Sequence, residues 1–325
     1  MNGRRRLLIA LGASALDAPL ASLAQRPVKA RRVGFLWDAD SRSMQLVAEF
    51  NAGLRELGYV EGRDYVIEQR SAKGDLRQLP ALAAELLALK VDLIVATSNA
   101  SAIAARGTTR DVPILITGDP DPVGTGLVAS LRNPGGNVTG LSNQNAEVAI
   151  KQLELMREII PDLRRVGLLY LAGNAAASFA RLESECSKLR IQCMGIAVRE
   201  KQDIPGAFGT LQRDKAQALI LSGSQVLLAW RDTIIDHAAR HRLPAMYLAS
   251  VNVEEGGLIS YASNGRARFK RAAVYADKIF KGAKPGDLPI EQPTKFDLVV
   301  NVKTAKALGI TIPQSILVRA DRVIE

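Results

Sequence analysis

The chain has 325 residues, of which 47% are hydrophobic and 23% charged, with a formal net charge of +10. That length exceeds what one hydrophobic core usually serves, so two domains are expected, and the composition excludes a disordered or low-complexity chain. The positive charge is spread along helices, as at Arg266, Arg268, Lys270 and Arg271, without interleaved aromatics; it reads as a solvated face, and no nucleic-acid partner is expected.

The first 24 residues read as an export signal. Arg4, Arg5 and Arg6 form a cationic start, residues 7–16 are apolar, and Ser22 and Ala24 put small side chains at the −3 and −1 positions. Cleavage near Ala24 and a periplasmic location are therefore expected. The apolar run is too short to span a bilayer. Asp17 closes it, and the adjacent arginines leave Sec or twin-arginine export open. No cysteine lies near the cleavage point, so no lipid anchor is expected.

After the leader, an unbroken apolar strand is predicted over 33–37, as suits a strand covered on both faces. A helix follows with Leu46, Val47, Phe50, Leu54 and Leu57 on one stripe, ending at Gly58. A strand over 65–69 leads to a helix with Pro80 in its first turn and Leu79, Leu82, Ala83, Leu86 and Leu87 on its stripe. Strand 91–97, helix 100–107, strand 112–117 and, past the turn Asn133-Pro134-Gly135-Gly136-Asn137, strand 138–142 complete the first series.

A second series then repeats the first. Arg32-Val33-Gly34-Phe35-Leu36-Trp37 is answered by Arg165-Val166-Gly167-Leu168-Leu169-Tyr170. Helix 176–189, strand 192–198, helix 204–214, strand 216–222, helix 226–241 and strand 243–248 follow. A strand over 257–261, a helix through Phe269, Ala272, Tyr275 and Phe280, a strand over 296–302 and a helix over 304–308 form a tail that crosses back between lobes. Strands alternating with helices predict an α/β fold of two lobes with parallel sheets and right-handed crossovers, and a ligand cleft between them. The expected division is a leader at 1–24, a first lobe of 28–142 with about 260–284, and a second of 143–259 with about 285–325.

Ligands of open α/β sheets sit beyond the carboxyl ends of the strands, where loops and helix N-termini converge. From the first series that rule selects Trp37 with Asp38 and Asp40 beside it, Ser98, Asn99 and Ser101, and Asp119 and Asp121. From the second it selects Tyr170, Asn174, Ser222, Ser224 and Tyr247. Hydroxyls and amides beside helix N-termini suit an anionic group, an aspartate suits an ammonium, and Trp37 and the tyrosines offer stacking faces. Structural readings stand beside these. Ser98 and Ser222 suit helix capping, Asp121-Pro122 a turn, and Trp37 and Trp230 a core.

Enzyme patterns are missing: no nucleophile elbow, Walker loop or dinucleotide fingerprint occurs. His237 and His241 stand four apart on a helix without the HExxH context of a metal site. Neither catalysis, metal nor cofactor is expected. Cys186 and Cys193, the only two cysteines, flank a helix-to-strand turn; whether they bridge depends on a Cα separation that sequence leaves open.

Several segments resemble the ABC transporter substrate-binding proteins of the tryptophan-binding TrpX-like group. They are Leu54-Arg55-Glu56-Leu57-Gly58-Tyr59-Val60-Glu61-Gly62, Asp121-Pro122-Val123-Gly124-Thr125-Gly126-Leu127-Val128, Pro134-Gly135-Gly136-Asn137-Val138-Thr139-Gly140-Leu141, Glu291-Gln292-Pro293-Thr294-Lys295-Phe296 and Lys303-Thr304-Ala305-Lys306-Ala307-Leu308-Gly309. The resemblance implies a type I periplasmic binding protein, with two flavodoxin-like lobes and three crossovers, that closes on a small organic solute. Amino acids and aromatic carboxylates are the candidate solutes. It implies ABC permease transmembrane subunits as partners, a monomer, and ligand contacts in the loops of Ser98, Asn99, Asp121 and Ser222. Pro120 departs from the small or hydroxylated residues usual there and leaves the ligand's identity open. The rival readings are a sensory binding protein serving a receptor and an exported α/β enzyme.

Overall fold

The computed structural model describes residues 30–39, 43–143, 145–172, 176–247 and 249–325. The expected leader at 1–24, its cleavage point and Asn174 lie outside the described residues.

The first lobe runs β1 (Arg31–Trp37), α1 (Ser43–Glu56), β2 (Tyr65–Ser71), α2 (Leu79–Ala88), β3 (Leu93–Ala96), α3 (Asn99–Thr108), β4 (Ile114–Asp119) and β5 (Val138–Ser142). Its parallel sheet has the order β2-β1-β3-β4-β5. The all-apolar β3 is buried at every position, as a central strand with helices on both faces must be.

The second lobe runs α4 (Asn145–Ile159), β6 (Arg165–Leu171), α5 (Ala176–Lys188), β7 (Gln192–Val198), α6 (Ile204–Arg213), β8 (Ala218–Leu221), α7 (Gln225–Ala229), α8 (Arg231–Arg240), β9 (Ala245–Tyr247), α9 (Ser250–Glu254) and β10 (Ile259–Ser263). The chain returns to the first lobe for α10 (Gly265–Phe280) and ends in the second with β11 (Phe296–Asn301), α11 (Val302–Leu308), α12 (Gln314–Arg319) and β12 (Arg322–Ile324). The second sheet is ordered β12-β11-β10-β9-β8-β6-β7. Its portion β7-β6-β8-β9-β10 repeats the first sheet strand for strand, so the sequence echo between residues 32–37 and 165–170 is an echo of topology.

Four features differ from the sequence expectation. β11 runs antiparallel to β10, because the tail re-enters from the first lobe rather than through a helical crossover within the second. The helix expected over 226–241 is two, broken at Trp230, whose ring packs against both the lobe core and a small cluster around Val226. The short α9, α12 and β12 carry too few residues for a periodic signal. The return to the second lobe falls later than 285. Residues 286–291 still line β5, with Gly135 N donating to Gly286 O at 3.1 Å, Ile290 N to Leu131 O at 2.6 Å and Ser142 N to Glu291 O at 2.9 Å.

α10 is joined to the first lobe by aromatic packing. Phe35, Trp37 and Phe269 meet in a triangle with near-parallel planes, Trp37 5.6 and 5.7 Å from the other two and these 6.4 Å from each other, and Phe50 meets Phe35 edge-on at 5.2 Å. Gly53 lets the helices close: a β-carbon there would stand 2.6 Å from the Lys270 carbonyl oxygen. In the second lobe Cys186 and Cys193 are joined by a disulfide, their Cα atoms 5.9 Å apart, so α5 is tied to β7.

Candidate functional site

In the strand order both lobes share, the sequence of strands reverses between β1 and β3, and again between β6 and β8. Ligands bind at such switch points, beyond the carboxyl ends of the strands. The two switch points open on one cleft. From the first lobe it is lined by Asp38, Leu46, Thr97, Ser98, Asn99, Gly118 and Pro120, and from the second by Leu168, Leu221, Ser222, Gly223, Ser224 and Leu228. The crossover segments add Asn143, Val148, Gln152, Ser263 and Arg268. The space between the lobes is about 140 Å³ and opens to solvent. That is the scale of a small solute.

The polar floor is built on the start of α3. Ser98 has extended backbone and caps the helix, accepting from Ser101 N at 3.1 Å, while the Ser101 hydroxyl accepts from Ser98 N at 2.9 Å. The Ser98 hydroxyl also donates to Asp38 Oδ1 at 2.5 Å. Asp38 is 2% exposed, and burial pushes its carboxyl up to about 6 against the smaller downward pull of that hydrogen bond. Asn99 donates from Nδ2 to Asp119 Oδ2 at 2.7 Å, and Asp121 N donates to Asp119 Oδ1 at 2.8 Å. Burial raises the Asp119 carboxyl, and these bonds oppose it. Asn143 gives Nδ2 to Gly118 O at 2.9 Å and holds a buried Oδ1 without a partner among the described residues.

The candidates chosen from sequence separate into four groups. Ser98, Asn99, Ser222 and Ser224 line the cleft together. Ser101 and Asp119 sit behind that wall, supporting Ser98 and Asn99. Asp121 instead closes a turn, its Oδ1 accepting from Gly124 N at 2.8 Å. The three aromatic residues do not face the solute space. Trp37 is sealed in the first-lobe core with its Nε1 donating to Gln69 Oε1 at 3.1 Å, Tyr247 is 1% exposed in the second-lobe core, and Tyr170 packs against the same lobe's other cluster. The apolar wall is aliphatic instead, formed by Leu46, Val148, Leu168, Leu221 and Leu228. His237 and His241 stack on Phe208 at 5.4 and 5.6 Å.

Sequence reasoning passed over Asn143, Gln152 and Arg268. Asn143 follows directly on β5, so the rule that selected Ser98 could have selected it. Arg268 was grouped with solvated neighbours, yet it precedes the buried Phe269 and stands four residues before the buried Ala272, on the inward stripe of α10.

Duplicated parallel sheets, joined by crossovers around a polar cleft, define a two-lobed binding protein of the type I periplasmic class. The sequence narrows this further. A model of the ABC transporter substrate binding protein family matches residues 38–324, and the chain belongs to that family. It is 26% identical over 261 residues to a tyrosine-binding protein of Clostridioides difficile (strain R20291), covering 80% of this chain and 75% of the relative. The solved ABC domain in complex with L-Trp from Streptococcus pneumonia is 28% identical with a TM-score of 0.84, covering 91% of this chain and all of that one. A conserved domain protein from Vibrio cholerae is 26% identical with a TM-score of 0.86 over the same shares.

Proposed function

We propose that this protein captures a free α-amino acid with an apolar or aromatic side chain between its lobes. It presents that solute to the membrane subunits of an ABC importer, working outside the cytoplasm as the cationic and apolar leader suggests. The single observation that carries the reading is charge placement: one cleft brings together a buried carboxylate, Asp38, a guanidinium, Arg268, and an aliphatic wall. A zwitterion with an apolar side chain is the complement of that pattern. The L-Trp complex of one relative and the tyrosine-binding name of another support it.

Capture works by hinge closure, in which the solute stabilises the arrangement that contacts both lobes. Asp38 and the unpartnered Asn143 Oδ1 receive the ammonium, and Ser98 fixes the carboxylate of Asp38. The test is calorimetry against the twenty L-amino acids, paired with thermal melts. A ligand at a hundredfold excess over its Kd adds about 2.7 kcal/mol of stability, which raises the Tm by roughly 5 °C for a chain of this size. No heat of binding and no shift with any amino acid would refute the reading.

A further inference from the structure

Arg268 is the one cationic side chain among the described residues lining the cleft, and it makes no ion pair among the described residues. Its guanidinium is nevertheless held firmly. Nε donates to the Thr117 carbonyl at 2.5 Å on β4 of the first lobe, and Nη1 to the Ser263 hydroxyl at 2.7 Å at the end of β10 of the second. Nη2 has no acceptor among the described residues and lies beside Gly118, 3.4 Å from where a β-carbon would stand. Burial pushes the group down to about 10, as expected of a desolvated cation that lacks a counter-charge. A half-buried charge in this state is costly unless an anion arrives to pair with it.

From this geometry we infer that Arg268 holds the solute's carboxylate through its free Nη2 edge, at the point where both lobes grip the same guanidinium. The inference rests on the proposed amino-acid reading and assigns its anionic end. The carboxylate of an amino acid whose ammonium faces Asp38 would then lie against the crossover between β10 and α10. The charge of the solute is thereby felt by one of the segments about which the lobes turn. Gly118 matters here because any side chain would occupy the space beside Nη2.

The experiment compares free acids with their carboxamides on the full processed chain. L-tyrosine, L-tryptophan and L-leucine are titrated against L-tyrosinamide, L-tryptophanamide and L-leucinamide, using wild type and Arg268→Gln. Wild type is expected to prefer the acid by at least about 30-fold, the scale of a desolvated charge pair. In Arg268→Gln the acid weakens by a similar factor while the amide changes little, so the preference falls to about threefold or less. A preference that survives the substitution overturns the assignment while leaving amino-acid binding intact. If wild type binds none of the six probes, the amino-acid reading for these side chains fails and the assignment falls with it. Should Arg268→Gln fail to fold, Arg268→Lys decides. A lysine is a point charge without the planar fork, so the acid preference must drop by at least about threefold, and an unchanged preference overturns the assignment.

Discussion

Replacing Asp38 by asparagine is expected to make the protein more stable and a much poorer binder. Its folded carboxyl titrates near 6, against 3.8 for the free group, because it is buried. The folded state therefore holds the proton more tightly than the unfolded chain, and the associated stability is complete below pH 3.8 and lost as pH rises through about 6. Above that range the ionised carboxylate costs about 3 kcal/mol. Asparagine removes the charge and keeps an oxygen for Ser98, so a gain of about 2 kcal/mol is expected at pH 8, shrinking toward nothing at pH 4. Chemical denaturation at the two pH values reads this directly. Affinity moves the other way. The solute's ammonium loses its counter-charge, and a weakening of about 100-fold is expected. In wild type, affinity should fall as pH drops through about 6, because the carboxylate must then be ionised at the expense of a proton. An Asp38→Asn protein that binds as tightly as wild type would remove Asp38 from the site.

Gly140→Ala is the second large effect. Gly140 has φ +136°, and a β-carbon there would stand 2.1 Å from the Ile116 carbonyl oxygen of the neighbouring β4. An alanine carries both a backbone penalty and a clash with main chain that no side-chain rotation relieves. The expected cost is about 3–5 kcal/mol, with a Tm lower by roughly 6–9 °C. The consequence reaches the cleft. β5 leads into Asn143, whose amide N donates to Asp119 O at 3.1 Å and whose side chain holds Gly118 O. Scanning calorimetry with a binding titration checks both. A Tm within about 2 °C of wild type would contradict the steric argument.

Much of this was legible in the chain. The echo of 32–37 in 165–170 and the alternation of strands and helices announce two like modules, since runs buried on both faces leave little choice but parallel sheets. The switch-point rule then reached Ser98, Asn99, Ser222 and Ser224 without any side-chain coordinates. The aromatic residues were misplaced because that rule marks loops and ignores faces. Side chains alternate along a strand, so Trp37 points the same way as Phe35, into the core shared by α1 and α10. Tyr247 likewise follows Ala245 into its lobe core while Met246 points to the other. Arg268 was hidden for a different reason. It comes from a helix distant in sequence from both switch points, and only the late return of α10 to the first lobe carries it to the cleft. Local pattern reads elements well and reads long-range returns poorly.

The central claim is that a small solute is held between the two lobes and draws them together. Small-angle scattering of the protein, with and without the tightest-binding amino acid from the calorimetric panel, tests it most directly. The account predicts a smaller radius of gyration on saturation, abolished for the same amino acid at the same concentration in Asp38→Asn. Scattering curves that superimpose while calorimetry reports full occupancy would show that the solute sits elsewhere or leaves the lobes unmoved.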